Sequence, residues 1–357
     1  MPSLTPNCPP RERRDLARAH RGPAWAAVAT VAALLAGAAW AQAPAPLRVV
    51  ATTAMVADTV REVGGDCVDV VHLMGPGIDP HLYRASAGDV DRLGRAELIV
   101  HNGLGLEGQL GAVLDRLGSR VPTLTLAEAA AELAAAVGAA ASAGTEAALL
   151  DGEDAYAGRA DPHLWLDAAL WSHAATAAAE KIAELRPACA DDVRARAAAY
   201  AQRLLALDAW ATTSVASIPE AQRTLVTSHD AFRYFGRAYG LDVHGVEGIS
   251  TESEASIADI RATADLVLAT GVPAIFVEST ISPRTIEAVL AAARDRGGEV
   301  AIGGSLYGDA MGEAGTPEGT LIGMLRHNVV TIVTALGGAA APWPEALADW
   351  ATAWGLP

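Results

Sequence analysis

The sequence predicts an α/β fold: two lobes of strand–helix units with mainly parallel sheets, joined by one long backbone helix. Three observations carry this. Short apolar runs alternate with amphipathic stretches from residue 47 to 126 and again from 224 to 336, the order that builds βαβ units and parallel sheets. Between them, Val193, Ala197, Tyr200, Leu204, Leu207, Ala211, Val215 and Ile218 step by three and four with no Gly or Pro interrupting, which lays one apolar stripe along a helix. Each half also carries His or Asp in short turn phrases that follow a strand or a Pro-fixed turn, where open α/β sheets present ligand-binding loops.

The first 41 residues stand apart. Arg11, Arg13, Arg14, Arg18 and Arg21 form a basic leader, residues 24–40 an apolar run, and Ala39-Trp40-Ala41 a small-residue site before Gln42. That is the plan of a secretory signal peptide cleaved near Ala41, and it predicts a periplasmic protein. Cys8 precedes the apolar run, so it is not placed to carry a lipid after cleavage. The whole chain has a net charge of −16. Removing 1–41 takes away five Arg and two acidic residues and leaves 21 basic against 40 acidic side chains, a charge of −19. Such an acidic exported protein does not suit nucleic acid or an anionic membrane surface. Export would permit Cys67 and Cys189 to pair; their spacing leaves a bridge and two separate thiols equally open.

The first lobe (47–186) opens with a strand over 47–52. A helix over 55–63 follows, closed by Gly64-Gly65, where helices stop. A strand over 68–73 runs into Gly77-Ile78-Asp79-Pro80-His81. Helices over 87–93 and 106–117 alternate with strands over 97–101 and 121–126. From 129 to 160 the rhythm breaks: Ala and Gly dominate, then Asp151, Glu153 and Asp154, which predicts an exposed acidic loop. It delivers the chain to Asp161-Pro162-His163. A helix over 168–185 ends before Pro187, and the linking helix occupies 188–218.

The second lobe (222–357) starts with a strand over 224–227 that leads to His229. A helix over 231–239 is closed by Gly240. Helices over 257–270, 285–296 and 320–336 then alternate with strands over 274–277 and 299–302. A Gly-rich link after 302 leads to Tyr307-Gly308-Asp309, and the tail contains Trp.

His81, His163, His229 and Asp309 are the candidate site. Three imidazoles and one carboxylate make a complete ligand set for one transition-metal ion, although they stand roughly 65 to 80 residues apart. His72, His101, His173, His244 and His327 are read as ordinary solvated or hydrogen-bonded histidines.

Several phrases in order resemble one family. They are Pro76-Gly77-Ile78-Asp79-Pro80-His81-Leu82-Tyr83, Asn102-Gly103-Leu104-Gly105-Leu106-Glu107, Asp161-Pro162-His163-Leu164-Trp165-Leu166-Asp167, His229-Asp230-Ala231-Phe232-Arg233-Tyr234-Phe235, Phe276-Val277-Glu278-Ser279-Thr280 and Leu306-Tyr307-Gly308-Asp309-Ala310-Met311-Gly312. The resemblance is to the periplasmic solute-binding proteins of zinc and manganese ABC transporters, and it spans nearly the whole mature chain. It implies that His81, His163, His229 and Asp309 bind the metal, one pair from each lobe. It also implies delivery of Zn2+ or Mn2+ to a membrane permease served by a separate ATPase, by a protein expected to be a monomer. The chain departs from the zinc subtype that carries a His-rich loop between the first two ligands, since 129–160 has no His. The nitrogen-rich donor set pulls back toward zinc, because manganese suits carboxylate-rich sites better. Neutral imidazoles are required, so affinity should fall as pH drops through the His range near 6.5.

Two enzyme readings compete. An exported metal-dependent hydrolase needs an open metal position and a base, for which Asp79, Asp161 and Asp230 are the neighbours available; four protein ligands would close such a site, and HExxH is absent. Gly103, Gly105 and Gly108 fit a dinucleotide fingerprint with Glu128 about twenty residues on, yet they do not lie in the first βα unit. No Walker A sequence is present, so ATP hydrolysis would belong to a partner.

Overall fold

The computed structural model describes residues 45–141 and 160–356. The predicted signal peptide and the acidic stretch at Asp151, Glu153 and Asp154 lie outside the described residues. The described residues from 46 onward belong to one compact unit, and no helix among the described residues is long and apolar enough to cross a membrane.

The first half is a four-stranded sheet in the order β2-β1-β3-β4, parallel throughout. Its strands are β1 (Leu47–Ala51), β2 (Val68–His72), β3 (Leu98–His101) and β4 (Thr123–Thr125). The helices are α1 (Ala54–Gly64), α2 (Ala87–Gly94), α3 (Gly111–Gly118) and α4 (Leu126–Ala141). The second half holds β5 (Thr224–His229) paired parallel with β6 (Asp242–Glu247), and β7 (Ala274–Glu278) paired parallel with β8 (Ala301–Leu306). Its helices are α7 (Arg233–Tyr239), α8 (Ile257–Thr270), α9 (Arg284–Arg294), α10 (Leu321–Ala335) and α11 (Ala348–Ala353). Between the halves stand α5 (Ala168–Leu185) and the 26-residue α6 (Ala190–Val215).

Local chemistry accounts for the element ends. Ser256 and Asp259 form a reciprocal capping box at the start of α8, and Gly271 ends it at φ 65. Both satisfy backbone groups that a helix terminus leaves unpaired. On α6 the predicted stripe is buried: Val193, Ala197, Tyr200, Leu204, Leu207, Ala211 and Val215 are each at most 3% exposed. Each fully buried Leu or Val contributes roughly 1.5–3 kcal/mol. One hydrophobic cluster runs from Leu47 through this stripe to Phe276 and Trp350, so the two halves share a core.

Several expectations are corrected. The loop expected over 129–160 begins as helix, because α4 continues to Ala141. Ala is the strongest helix former, and Ala130 and Ala131 are buried against the core. The helix expected from 106 starts as a 3-10 turn at Gly108–Leu110 and becomes α-helical at Gly111. β6 was not anticipated: Asp242, His244, Gly245 and Glu247 hide a strand that parallel pairing with β5 supports. β8 runs through Gly303 and Gly304, read in the sequence as a link; a Cβ on Gly303 would lie 2.6 Å from Phe276 Cε1. Cys67 and Cys189 are bonded, tying the end of α1 to the start of α6 across 122 residues.

Candidate metal centre

The four expected ligands meet. One donor atom from each of His81, His163, His229 and Asp309 lies within 4.8 Å of the others, and all four residues are buried. His163 Nε2 stands 3.1 Å from Asp309 Oδ1, and His229 Nε2 and His81 Nε2 stand 3.3 Å and 3.4 Å from Oδ2. The three Nε2 atoms and both Asp309 oxygens are buried without a hydrogen-bond partner in the structure. Buried polar atoms are nearly always satisfied. Converging orphans of nitrogen and carboxylate type fit one cation at their centre.

Local sequence aims two of the candidate ligands, and tertiary contacts aim the other two. Asp79-Pro80-His81 and Asp161-Pro162-His163 are the same turn used twice. In each, the Asp Oδ1 accepts from the His backbone N–H, at 2.8 Å and 3.0 Å, the local bond that makes Asp a turn former. Pro holds the residue before it extended. Asp161 Oδ1 also stands 2.7 Å from His163 Nδ1. His229 closes β5 instead of lying in a turn beyond it. Glu278, at the end of β7, accepts from the His229 N–H through Oε1 at 2.9 Å and faces His229 Nδ1 through Oε2 at 2.9 Å. A carboxylate on the far ring nitrogen fixes which nitrogen faces the cation. Asp309 follows Tyr307, whose backbone N–H and C=O are both held by the buried Asn328 side chain, at 2.9 Å and 2.8 Å.

Charge follows this geometry. Burial presses His81 down to about 3, with His163 and His229 adding to the effect against the pull of Asp309. Burial would also lower His163, but Asp309 and Asp161 outweigh it and hold it at about 9. For His229 burial is likewise outweighed, by Glu278 and Asp309, and its pKa lies well above the usual range. Burial opposes the charge on Asp309, yet His229 and His163 hold it well below the ordinary carboxylate value.

The glycine motif has another use. Glu107 is buried and fills the turn itself: Oε1 accepts from Asn102 N at 2.7 Å and Thr52 Oγ1 at 2.8 Å, and Oε2 from Gly103 N at 3.1 Å. A Cβ on Gly108 would sit 2.1 Å from the His81 carbonyl oxygen. The donors a pyrophosphate would use are taken by the protein's own carboxylate, and the glycines let this loop support His81. The dinucleotide reading is therefore overturned.

Among the described residues, the other histidines stay outside the cluster. His72 contacts Arg61, His244 faces Asp242, and His327 contacts the Ser305 carbonyl. His101 lies beside Thr125 and Glu107. Sequence reasoning gave no role to Glu278, Asn328 or Glu107. For Glu278 and Asn328 the link to a ligand is purely tertiary. For Glu107 a buried acid in a Gly-rich turn was the available signal.

The family model described as zinc-uptake complex component A, periplasmic (ZnuA), matches residues 49–335. The chain is 44% identical over 289 residues to the zinc-binding protein TroA of Treponema pallidum, covering 81% of this chain and 88% of that protein. It is 41% identical over 291 residues to the manganese-binding lipoprotein MntA of Bacillus subtilis, covering 81% and 90%. The solved structure of the periplasmic zinc-binding protein TroA from Treponema pallidum superposes with a TM-score of 0.75 at 42% identity, covering 82% of this chain and 99% of that one. A family match over residues 49–335, with relatives more than 40% identical across about four-fifths of the chain, leaves one assignment: the chain belongs to the ZnuA family of periplasmic zinc-uptake components.

Proposed function

We propose that this protein captures a divalent transition-metal ion outside the cytoplasm, zinc first and manganese second, and delivers it to an ABC permease driven by a separate ATPase. His81, His163 and His229 bind through Nε2 and Asp309 through its carboxylate, two ligands from each lobe. The observation that supports this most is the convergence of buried, unpartnered Nε2 and carboxylate atoms on one point. The 44% identical relative is named as zinc-binding and the 41% identical one as manganese-binding. Three nitrogen donors favour zinc between them. The lobe boundaries are those read in the sequence, 47–186 and 222–357, joined by the linking helix over 188–218, with 1–41 as a cleaved signal peptide. The Cys67–Cys189 bond fits an oxidising compartment.

The protein works as a monomeric carrier and not as a hydrolase. Four protein donors complete a tetrahedral shell and leave no position for a reactive water. The carboxylates beside the candidate ligands are already engaged: Asp161 and Glu278 with imidazoles, Asp79 with the His81 N–H and Thr251. Metal analysis of protein from its native compartment, with competition titration of zinc against manganese, is the test. The expected result is one stoichiometric ion and preference for zinc. A protein that retains no ion refutes the reading, and tighter manganese binding reverses the choice of metal.

A further inference from the structure

The two Asp-Pro-His turns are fastened differently to the opposite half. The His163 segment is sewn in by buried bonds: Trp165 Nε1 donates to the Gly308 carbonyl at 3.0 Å, and Tyr234 Oη donates to the Asp161 carbonyl at 3.1 Å. The His81 turn is more open, with Pro76, Gly77, Ile78 and Leu82 exposed. Across the cleft it meets Thr251, whose Oγ1 donates to Asp79 Oδ2 at 2.6 Å. The other oxygen of the same carboxylate holds the His81 N–H at 2.8 Å.

Thr251 is itself well placed. It is 8% exposed, in the loop between β6, which ends at Glu247 against His229, and α8, whose capping box begins at Ser256. This loop lines a cavity of about 560 Å3 beside Gly105 and Gly108. Both ends of the loop are anchored, and its middle rests on the first-ligand turn.

We propose that Thr251 is a positioning residue for metal retention: its hydroxyl latches Asp79, and through Asp79 the His81 turn, against the opposite half. A cation leaves when one ligand peels away, and the exposed His81 turn is the ligand segment with the least buried attachment. A bond that exists only while that turn is docked slows departure more than arrival. The proposal rests on the metal-binding reading above.

The test is zinc dissociation from the full-length protein, timed by stopped-flow mixing with excess chelator. T251V keeps the shape and removes the donor; T251S keeps the donor. The expected result is an off-rate raised about tenfold in T251V, the lower end for a hydrogen bond to a charged group, with the on-rate within about twofold. T251S should match the wild type, and the melting temperature of zinc-free T251V should not move. An off-rate in T251V within about twofold of wild type overturns the latch. So does an equal rise in T251S, or a rise that tracks a loss of zinc-free stability. If the wild type holds no zinc, the metal-binding reading fails and takes the latch with it.

Discussion

Asp309 concentrates the chemistry of this protein in one side chain. Its carboxylate faces all three imidazoles at 3.1–3.4 Å and supplies the negative charge at the centre. Asp309→Ala should lower zinc affinity by about a hundredfold or more, beyond the 10–100-fold typical of partners that only orient ligands. The far-ultraviolet circular dichroism of the metal-free protein should be unchanged, because Asp309 lies in the loop after β8 and belongs to no helix or strand. An unchanged affinity would remove it from the site. A second carboxylate, outside that cluster, sets a pH response. Asp58 is half-buried on α1 and accepts from the Leu321 N–H at 3.0 Å and Tyr200 Oη at 3.5 Å. Burial raises its pKa to about 7 from an ordinary 3.8. The folded state therefore holds a proton that the unfolded chain gives up across that window. Its contribution to stability is present below about pH 4 and is lost as pH rises toward 7. The difference in unfolding free energy between wild type and Asp58→Asn should shift across pH 4–7 in favour of the variant. At 1.36 kcal/mol per pKa unit the upper bound is about 4 kcal/mol. Denaturant melts at several pH values would show a flat difference if Asp58 keeps its ordinary pKa.

At the scale of elements, the ends of strands and helices decide where chemistry sits. β5 and β7 bring His229 and Glu278 side by side, while α10 reaches back through Asn328 to hold the loop before Asp309. The Cys67–Cys189 bond joins α1 to α6 at the edge of the first sheet opposite its ligand loops. Replacing both cysteines with Ser should cost about 2–5 kcal/mol and lower the melting temperature by several degrees. Zinc affinity should change little, because the bridge touches none of the ligand turns. A large loss of affinity with unchanged melting would show that the bridge acts on the site instead.

At the scale of the molecule, the halves are not free lobes on a flexible strap. A single core passes through α6 from Leu47 to Trp350, and buried bonds from Trp165 and Tyr234 cross between halves beside the ligands. Reorganising that core would expose large apolar areas, at roughly 25 cal/mol per Å2, so capture should proceed by local docking of loops. The radius of gyration from solution scattering should change by less than about 1 Å when zinc is added, since interiors this close-packed do not deform continuously. A marked compaction would contradict this.

The periodicity of α6 was legible because a buried stripe repeats every three to four residues whatever it packs against. The Asp-Pro-His turns were legible because Pro and Asp fix backbone locally. The candidate donors were also legible in the sequence, since His and Asp in strand-end turns are chemically distinctive and their flanking phrases resemble a known family. The strand at Asp242–Glu247 was hidden, because its stability comes from pairing with β5 and not from its own residues. The use of the glycine motif was hidden for the same reason: only the tertiary structure places Glu107 in the turn and the His81 carbonyl against Gly108. Sequence alone determined which atoms can bind a cation. The fold decided that they meet, which carboxylates aim them and which hydroxyl spans the cleft, because those facts depend on distances between residues far apart in the chain.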